Sequence, residues 1–231
     1  MIRTPGQPTA AAAGAARPLR RDAVQNRVRL LQAAWDVFCE QGTEAGVEEI
    51  SKRAGVGMGT LYRRFPTKDD LIRALQAELL DGMLEEIRET AAAQPVGQGL
   101  EACLWHGGEV MAAHRGCLGM MWQAFPLESD PRRAEFWALM GRLLEEAREA
   151  GEVREDLTLT DVYLCQLTLR SLIDDSAVRA PEIWRRYLAL MLAGFRPAAQ
   201  PLEHRPSDDS LVTLGVPYST GQSSAGRSSG R

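Results

Sequence analysis

The sequence predicts an all-α protein: an N-terminal three-helix unit that contains a helix-turn-helix, then a larger helical domain. Three observations carry that prediction. Apolar residues recur at three- and four-residue spacing along most of the chain. No segment combines strand-like alternation with paired tight turns. Helix-stopping residues, among them Gly42, Gly55, Pro66, Pro95 and Gly151, fall where the periodic runs end.

Residues 1–21 are mostly Ala, Pro, Gly and Arg without periodicity, so a disordered basic arm is expected. Its Arg17, Arg20 and Arg21 suit either a contact with nucleic acid or simple solubility. A first helix follows, with Val28, Leu31, Trp35 and Phe38 on one face and an end near Gly42. Val47, Ile50 and Ala54 then give a short helix with a narrow apolar face. Gly55 stands where a left-handed cap is wanted and a Cβ would be costly. Val56 fills the angle, and Leu61 with Phe65 anchors a second short helix. Pro66 stops that helix, since it lacks an N–H and disfavours a helical residue before it. Thr67 caps the next one, with Asp69 and Asp70 complementing its dipole.

That next helix spans roughly residues 68–93, with Leu71, Leu75, Leu79, Met83 and Ile87 as its stripe. It is long enough to serve as a rod joining two domains. Helical patterns continue over about 98–114, 117–124, 131–150 and 160–175, and a last helix runs from Pro181 to Gly194. From Pro197 onward Pro, Ser, Gly and Arg dominate, so a disordered tail is expected. The expected divisions are an arm (1–21), a helix-turn-helix domain (22–83), a larger helical domain (84–196) and a tail (197–231).

The second short helix displays Thr60, Tyr62, Arg63 and Arg64 but little that can be buried. Hydroxyls and guanidinium groups suit phosphates and base edges, so the stretch Gly46 to Phe65 reads as a DNA-reading helix-turn-helix. A nucleotide-binding loop over Gly55-x-Gly57-x-Gly59 is excluded by context: it follows an amphipathic helix, and no Gly-Lys-Ser/Thr is present. Charge agrees. Residues 17–73 hold 11 Arg/Lys against 8 Asp/Glu, a net of +3, while the whole chain is −4 and the remainder therefore −7. A basic module on an acidic body suits a protein that meets DNA with one end.

The residues from Arg27 to Leu71 resemble the DNA-binding domain of the TetR family of bacterial repressors. The likeness rests on Arg27-x-x-Leu30-Leu31-x-Ala33-Ala34, Phe38, Gly42, Ile50, Ala54-Gly55-Val56 and Gly59-Thr60-Leu61-Tyr62-x-x-Phe65-Pro66-x-Lys68. It implies phosphate contacts from Thr60, Tyr62 and Lys68, and base or backbone contacts from Met58, Arg63 and Arg64. Arg27 and Lys52 complete the expected DNA-binding set. Gly46 and Gly57 depart from the family, which usually caps both motif helices with Ser or Thr. Replacing such a cap by Gly costs only a few tenths of a kcal/mol, about the smallest capping loss. The segments Glu152 to Thr158 and Leu192 to Pro197 are also similar to a C-terminal domain carried by a subset of TetR-like regulators.

The last two helices are apolar nearly all round, so they need partners on more than one side. With the family resemblance this implies a two-fold homodimer built on a four-helix bundle, with Leu167, Trp184, Leu188 and Met191 in its interface. Between rod and bundle lie Trp105, His106, Met121, Trp122, Phe125, Phe136, Trp137 and Met140. These adaptable and aromatic side chains are the expected lining of a pocket for a small apolar or aromatic effector. Ordinary core packing is the competing reading for each of them alone.

No enzyme is expected: Gly-x-Ser-x-Gly, His-Glu-x-x-His and acidic metal clusters are all missing from the sequence. No cofactor is expected either. Cys103, His106, His114 and Cys117 have metal-ligand chemistry. On one helix, however, the outer pair would stand about 21 Å apart at the α-helical rise, so no metal site is expected. Four cysteines, no secretory signal and no uncharged apolar span long enough for a bilayer point to a reduced, cytoplasmic setting. The functional expectation is a transcriptional repressor released from a palindromic operator by a small molecule. The alternative is a DNA-binding activator or architectural protein without ligand control.

Overall fold

The computed structural model describes residues 18–114, 130–176, 179–198, 200 and 202–204. Those residues form eight helices and no strand: α1 (Pro18–Gln41), α2 (Val47–Ala54), α3 (Met58–Arg64), α4 (Lys68–Ala92), α5 (Gly99–Ala113), α6 (Pro131–Glu149), α7 (Leu159–Ser176) and α8 (Ile183–Phe195). The all-α expectation holds. The pattern expected over 117–124 lies outside the described residues. α1 opens earlier than expected, so Arg20 and Arg21 belong to its first turn instead of the arm. Proline is well placed there, because the missing N–H would have had no helical partner.

Two cores organise these helices. In the head, Leu30, Leu31, Phe38, Ile50, Leu61 and Leu75, each at most 1% exposed, bring α1 to α4 together. In the body, Leu104, Met140, Val162, Leu169, Trp184 and Leu188 are equally enclosed. α5 lies at the centre of the body, packing on α4, α6, α7 and α8. Its C-terminal part also reaches the head, where Val110 joins the head core and His114 meets Trp35 edge-on at 5.3 Å.

α4 is the rod that the sequence predicts. It extends about 37 Å at the α-helical rise. Leu71, Leu75 and Leu79 lie in the head core, Leu84 and Ile87 in the body core, and Met83 packs against both. Its start is fixed by a reciprocal capping box: Asp70 N donates to Thr67 Oγ1 and Thr67 N donates to the Asp70 carboxylate, both at 3.1 Å. Its body end is fastened by Arg132 to Asp81 (2.6 Å), by Arg88 to Glu135, and by the half-buried His106 to the buried Glu86 (3.0 Å). Among the described residues, no helix is long and apolar enough to cross a membrane.

The tail is not free at its beginning. Arg154, itself buried, donates to the Gln200 carbonyl, and Leu202 N donates to Asp156. The Arg154 guanidinium and that backbone N–H hold the Asp156 carboxyl down at about 2. The stretch Pro197 to His204 shows no apolar periodicity, so a sequence reading cannot see that its backbone groups dock on a distant ion pair. The cysteines differ as well: Cys103 and Cys165 are buried free thiols, whereas Cys39, exposed on α1, is disulfide-bonded.

Adjacent glycines of α5 give a test of body packing. A Cβ on Gly108 would fall 2.4 Å from Cζ3 of the enclosed Trp184, whereas one on Gly107 would meet only Met111 Cε at 3.9 Å. Gly107→Ala should therefore gain about 1 kcal/mol of helix propensity. Gly108→Ala gains the same term but overpacks the core, at a cost of about 1–3 kcal/mol. Thermal unfolding should show a raised midpoint for the first and a lowered one for the second. Equal shifts would contradict this packing.

Candidate nucleic-acid interface

Gly55 adopts φ 63°, the left-handed conformation that ends α2, and its N–H bonds to the Lys52 carbonyl at 3.1 Å. Val56 N bonds back to the Ser51 carbonyl at 3.0 Å, and the Ser51 hydroxyl donates to the Val56 carbonyl. Ser51 is 4% exposed, so the turn is closed by a buried hydroxyl that the sequence reading did not single out. Its only sequence signal is a small polar residue inside an apolar face. Gly46 and Gly57 occupy the N-cap positions of α2 and α3 in extended conformation, and neither helix has a side-chain cap.

α3 is held by two side chains. Leu61 is 1% exposed and Phe65 4%, and Phe65 N closes the helix on the Leu61 carbonyl at 2.8 Å. The opposite side faces outward. Tyr62, Arg63 and Arg64 are exposed, as is Lys52 on α2, while Thr60 and Lys68 are half-buried. Thr60, Arg63 and Arg64 share one face by their three- and four-residue spacing. Met58 is half-buried against the head core, which leaves only part of it for a base contact.

The cations of the head fall into two groups. Arg53 binds both oxygens of Glu40 at 2.7 Å, which raises the guanidinium pKa and lowers that of the carboxyl. Arg27 pairs with Glu78 at 2.9 Å and so ties α1 to α4. By contrast, the side chains of Lys52, Arg63, Arg64 and Lys68 make no hydrogen bond or ion pair with any described residue. A cation without a partner retains its charge for a phosphate. The structure thus brings Lys52, Thr60, Tyr62, Arg63, Arg64 and Lys68 to the motif surface and places Arg27 in a structural ion pair.

Lys68→Ala and Tyr62→Phe should weaken binding to all DNA sequences alike. The lysine change should also reduce the salt dependence by about one counterion. Affinity measured across a salt series checks this; unchanged slopes and affinities would remove both residues from the interface.

The expected effector residues are only partly described. Met121, Trp122 and Phe125 lie outside the described residues. Trp105, Phe136, Trp137 and Met140 all belong to the body core or pack on it, and Trp137 stands edge-on to both Phe136 (4.9 Å) and Tyr163 (5.2 Å). His106 is committed to Glu86. Burial depresses the pKa of His114, beside Trp35, with the Glu86 charge opposing. A groove of about 540 Å³ lies elsewhere, along α6 and the start of α7, with Arg142, Glu145, Arg148 and Leu159 in its walls.

Two expected dimer residues are placed differently. Trp184 and Leu188 are both 0% exposed and turn inward, Trp184 onto Gly108 and Trp105 of α5. The apolar surface left on α7 and α8 includes exposed Leu164, Ile183 and Leu190, with Leu167, Leu172, Tyr187, Met191 and Phe195 among the half-buried residues. A helix apolar all round does not reveal from its sequence which side its own chain will take.

Comparison with known proteins gives consistent matches. Residues 30–75 fit the model of bacterial regulatory proteins of the tetR family, and residues 109–197 that of the SbtR-like transcriptional regulator C-terminal domain. The solved structure of a TetR regulatory protein from Mycobacterium vanbaalenii is 30% identical, with TM-score 0.60 over 78% of this chain and 99% of that one. Stearoyl-CoA-bound FadR from Bacillus subtilis shares the fold at 20% identity and TM-score 0.54, over 73% of this chain and 98% of that one. An HTH-type transcriptional regulator of Staphylococcus aureus is 46% identical over 54 residues. That match spans 23% of this chain and 29% of the relative.

Proposed function

The chain belongs to the TetR family of bacterial regulatory proteins, and from that footing we propose that it is a dimeric repressor, released from a palindromic operator by a small apolar or aromatic effector. The observation that carries this is the outer face of the motif. Lys52, Arg63, Arg64 and Lys68 have no partner among the described residues, on helices locked by a buried core. Evenly solvated cations would not need so rigid a support. A face that must match fixed phosphates and base edges does.

Two copies joined through α7 and α8 would present two α3 helices. These must stand about 34–36 Å apart to enter successive major grooves. α4 gives the body leverage over that spacing, because one end lies in each core. An effector among Trp105, Phe136, Trp137 and Met140 needs only a modest rotation of α4 to spoil the fit. The effector must then favour the DNA-free state by its coupling energy, typically about 1–3 kcal/mol, and operator must weaken the effector by the same factor. Stearoyl-CoA in the FadR relative has an apolar chain of the class proposed.

The tryptophans make the linkage measurable. Effector binding should change their fluorescence, and added operator should move the titration to higher effector concentration. A compound that saturates the body equally well with and without operator would show that this site is not the switch.

A further inference from the structure

We propose that the chain beyond α8 works as a strap: Gln200 and Leu202, gripped by Arg154 and Asp156, lock the end of the body in which the α4 rod is seated. The effect on operator affinity rests on the DNA-binding reading above; the strap itself does not.

The grip acts on main-chain atoms. Arg154, in the loop between α6 and α7, is only 8% exposed despite its charge. It binds both oxygens of Asp156, at 2.5 and 3.1 Å. Its Nη2 also donates to the Gln200 carbonyl at 3.2 Å, and Leu202 N donates to Asp156 Oδ2 at 2.9 Å. A carbonyl and an N–H two residues apart are therefore both engaged, which is how an extended segment is held without use of its side chains. The Leu202 side chain is left 62% exposed, so its burial is not what holds the strap. Both bonds involve an ionised partner and are stronger than neutral ones. Arg154 N donates in turn to the Phe195 carbonyl at the end of α8, at 2.9 Å. Strap, loop and helix end thus close on one another.

The same junction holds the rod. Gly97, in the turn between α4 and α5, has φ +89°. A Cβ there would fall 2.4 Å from Ala150 Cβ and 3.4 Å from Glu152 Cγ, so this turn lies flush on the α6–α7 loop. Arg196, directly after α8, reaches Glu152 at 3.4 Å and Glu101 in the first turn of α5 at 2.6 Å. Those two pairs are half-exposed and contribute little alone. Arg154 is different, because a buried charge is costly to leave without its partners. The other end of α4 lies in the head core. A lever passes on a rotation only while its seat is held. Loss of the strap frees the loop, loosens the turn at Gly97 and blurs the spacing of the two α3 helices.

The test compares full-length wild type, full-length Asp156→Asn, a chain ending at His204 and a chain ending at Pro197. The His204 chain keeps both gripped groups, and the Pro197 chain lacks them. First, the Leu202 amide should exchange its hydrogen about tenfold or more slowly in wild type than in Asp156→Asn. Equal rates would overturn the strap. Second, the thermal midpoint of the Pro197 chain and of Asp156→Asn should fall by about 3 °C or more, and that of the His204 chain should not move. A Pro197 chain as stable as wild type would also overturn the strap. Third, operator affinity should weaken by about threefold or more in the Pro197 chain and in Asp156→Asn, with the His204 chain unchanged. Asp156→Asn carries this comparison if the Pro197 chain does not fold. Equal affinity in all four proteins would overturn the link to DNA. Absence of operator binding in wild type would overturn that link together with the DNA-binding reading, while hydrogen exchange still decides whether the strap exists.

Discussion

Leu190→Arg should turn the protein into a folded monomer that no longer holds its operator. Leu190 is 55% exposed in the single chain, so arginine there costs the protomer fold little. In the proposed dimer the same position is covered, and two-fold symmetry brings in two uncompensated charges. Leaving a buried charge unpaired costs about 3–5 kcal/mol, so a loss of at least a hundredfold in dimer affinity is expected. Sedimentation should show half the wild-type mass with unchanged helical content. Leu188→Arg is the informative contrast: Leu188 is fully enclosed by its own chain, so this change should unfold the body. A Leu190→Arg protein that stays dimeric would place the interface elsewhere.

The second large effect is expected on α3. Arg63 and Arg64 are exposed and unpaired among the described residues, so removing both side chains disturbs no packing. A bidentate arginine–guanine contact discriminates by about 1–3 kcal/mol, and a dimer makes each contact twice. Arg63→Ala/Arg64→Ala should therefore lose operator affinity by about two orders of magnitude or more, while non-specific binding falls far less. The thermal midpoint should not move. Equal losses on operator and random DNA would make both arginines backbone contacts only.

The sequence made some of this legible and left the rest hidden, for physical reasons. The turn was readable because Gly55 and Pro66 are backbone constraints that act locally. The rod was readable because one apolar stripe runs unbroken from Leu71 to Ile87. Ser51 was not, since its role depends on a carbonyl five residues away coming within reach. Arg27 resembled a free cation until α4 brought Glu78 against it from 51 residues away. Trp184 and Leu188 went to the wrong side because α8 carries apolar residues on several faces. For Trp184 the space is left by Gly108 of α5, a contact 76 residues away in sequence. The Cys39 bond escaped for a similar reason, because pairing is a property of distance and not of spacing.

Hydroxyl-radical protection of DNA upstream of the neighbouring genes tests the central claim most directly. The account predicts two protected half-sites related by a dyad, their centres about one helical turn apart. Arg63→Ala/Arg64→Ala should abolish both, and Leu190→Arg should abolish both together. A single protected patch without two-fold symmetry, or a footprint that survives loss of the α3 arginines, would contradict it.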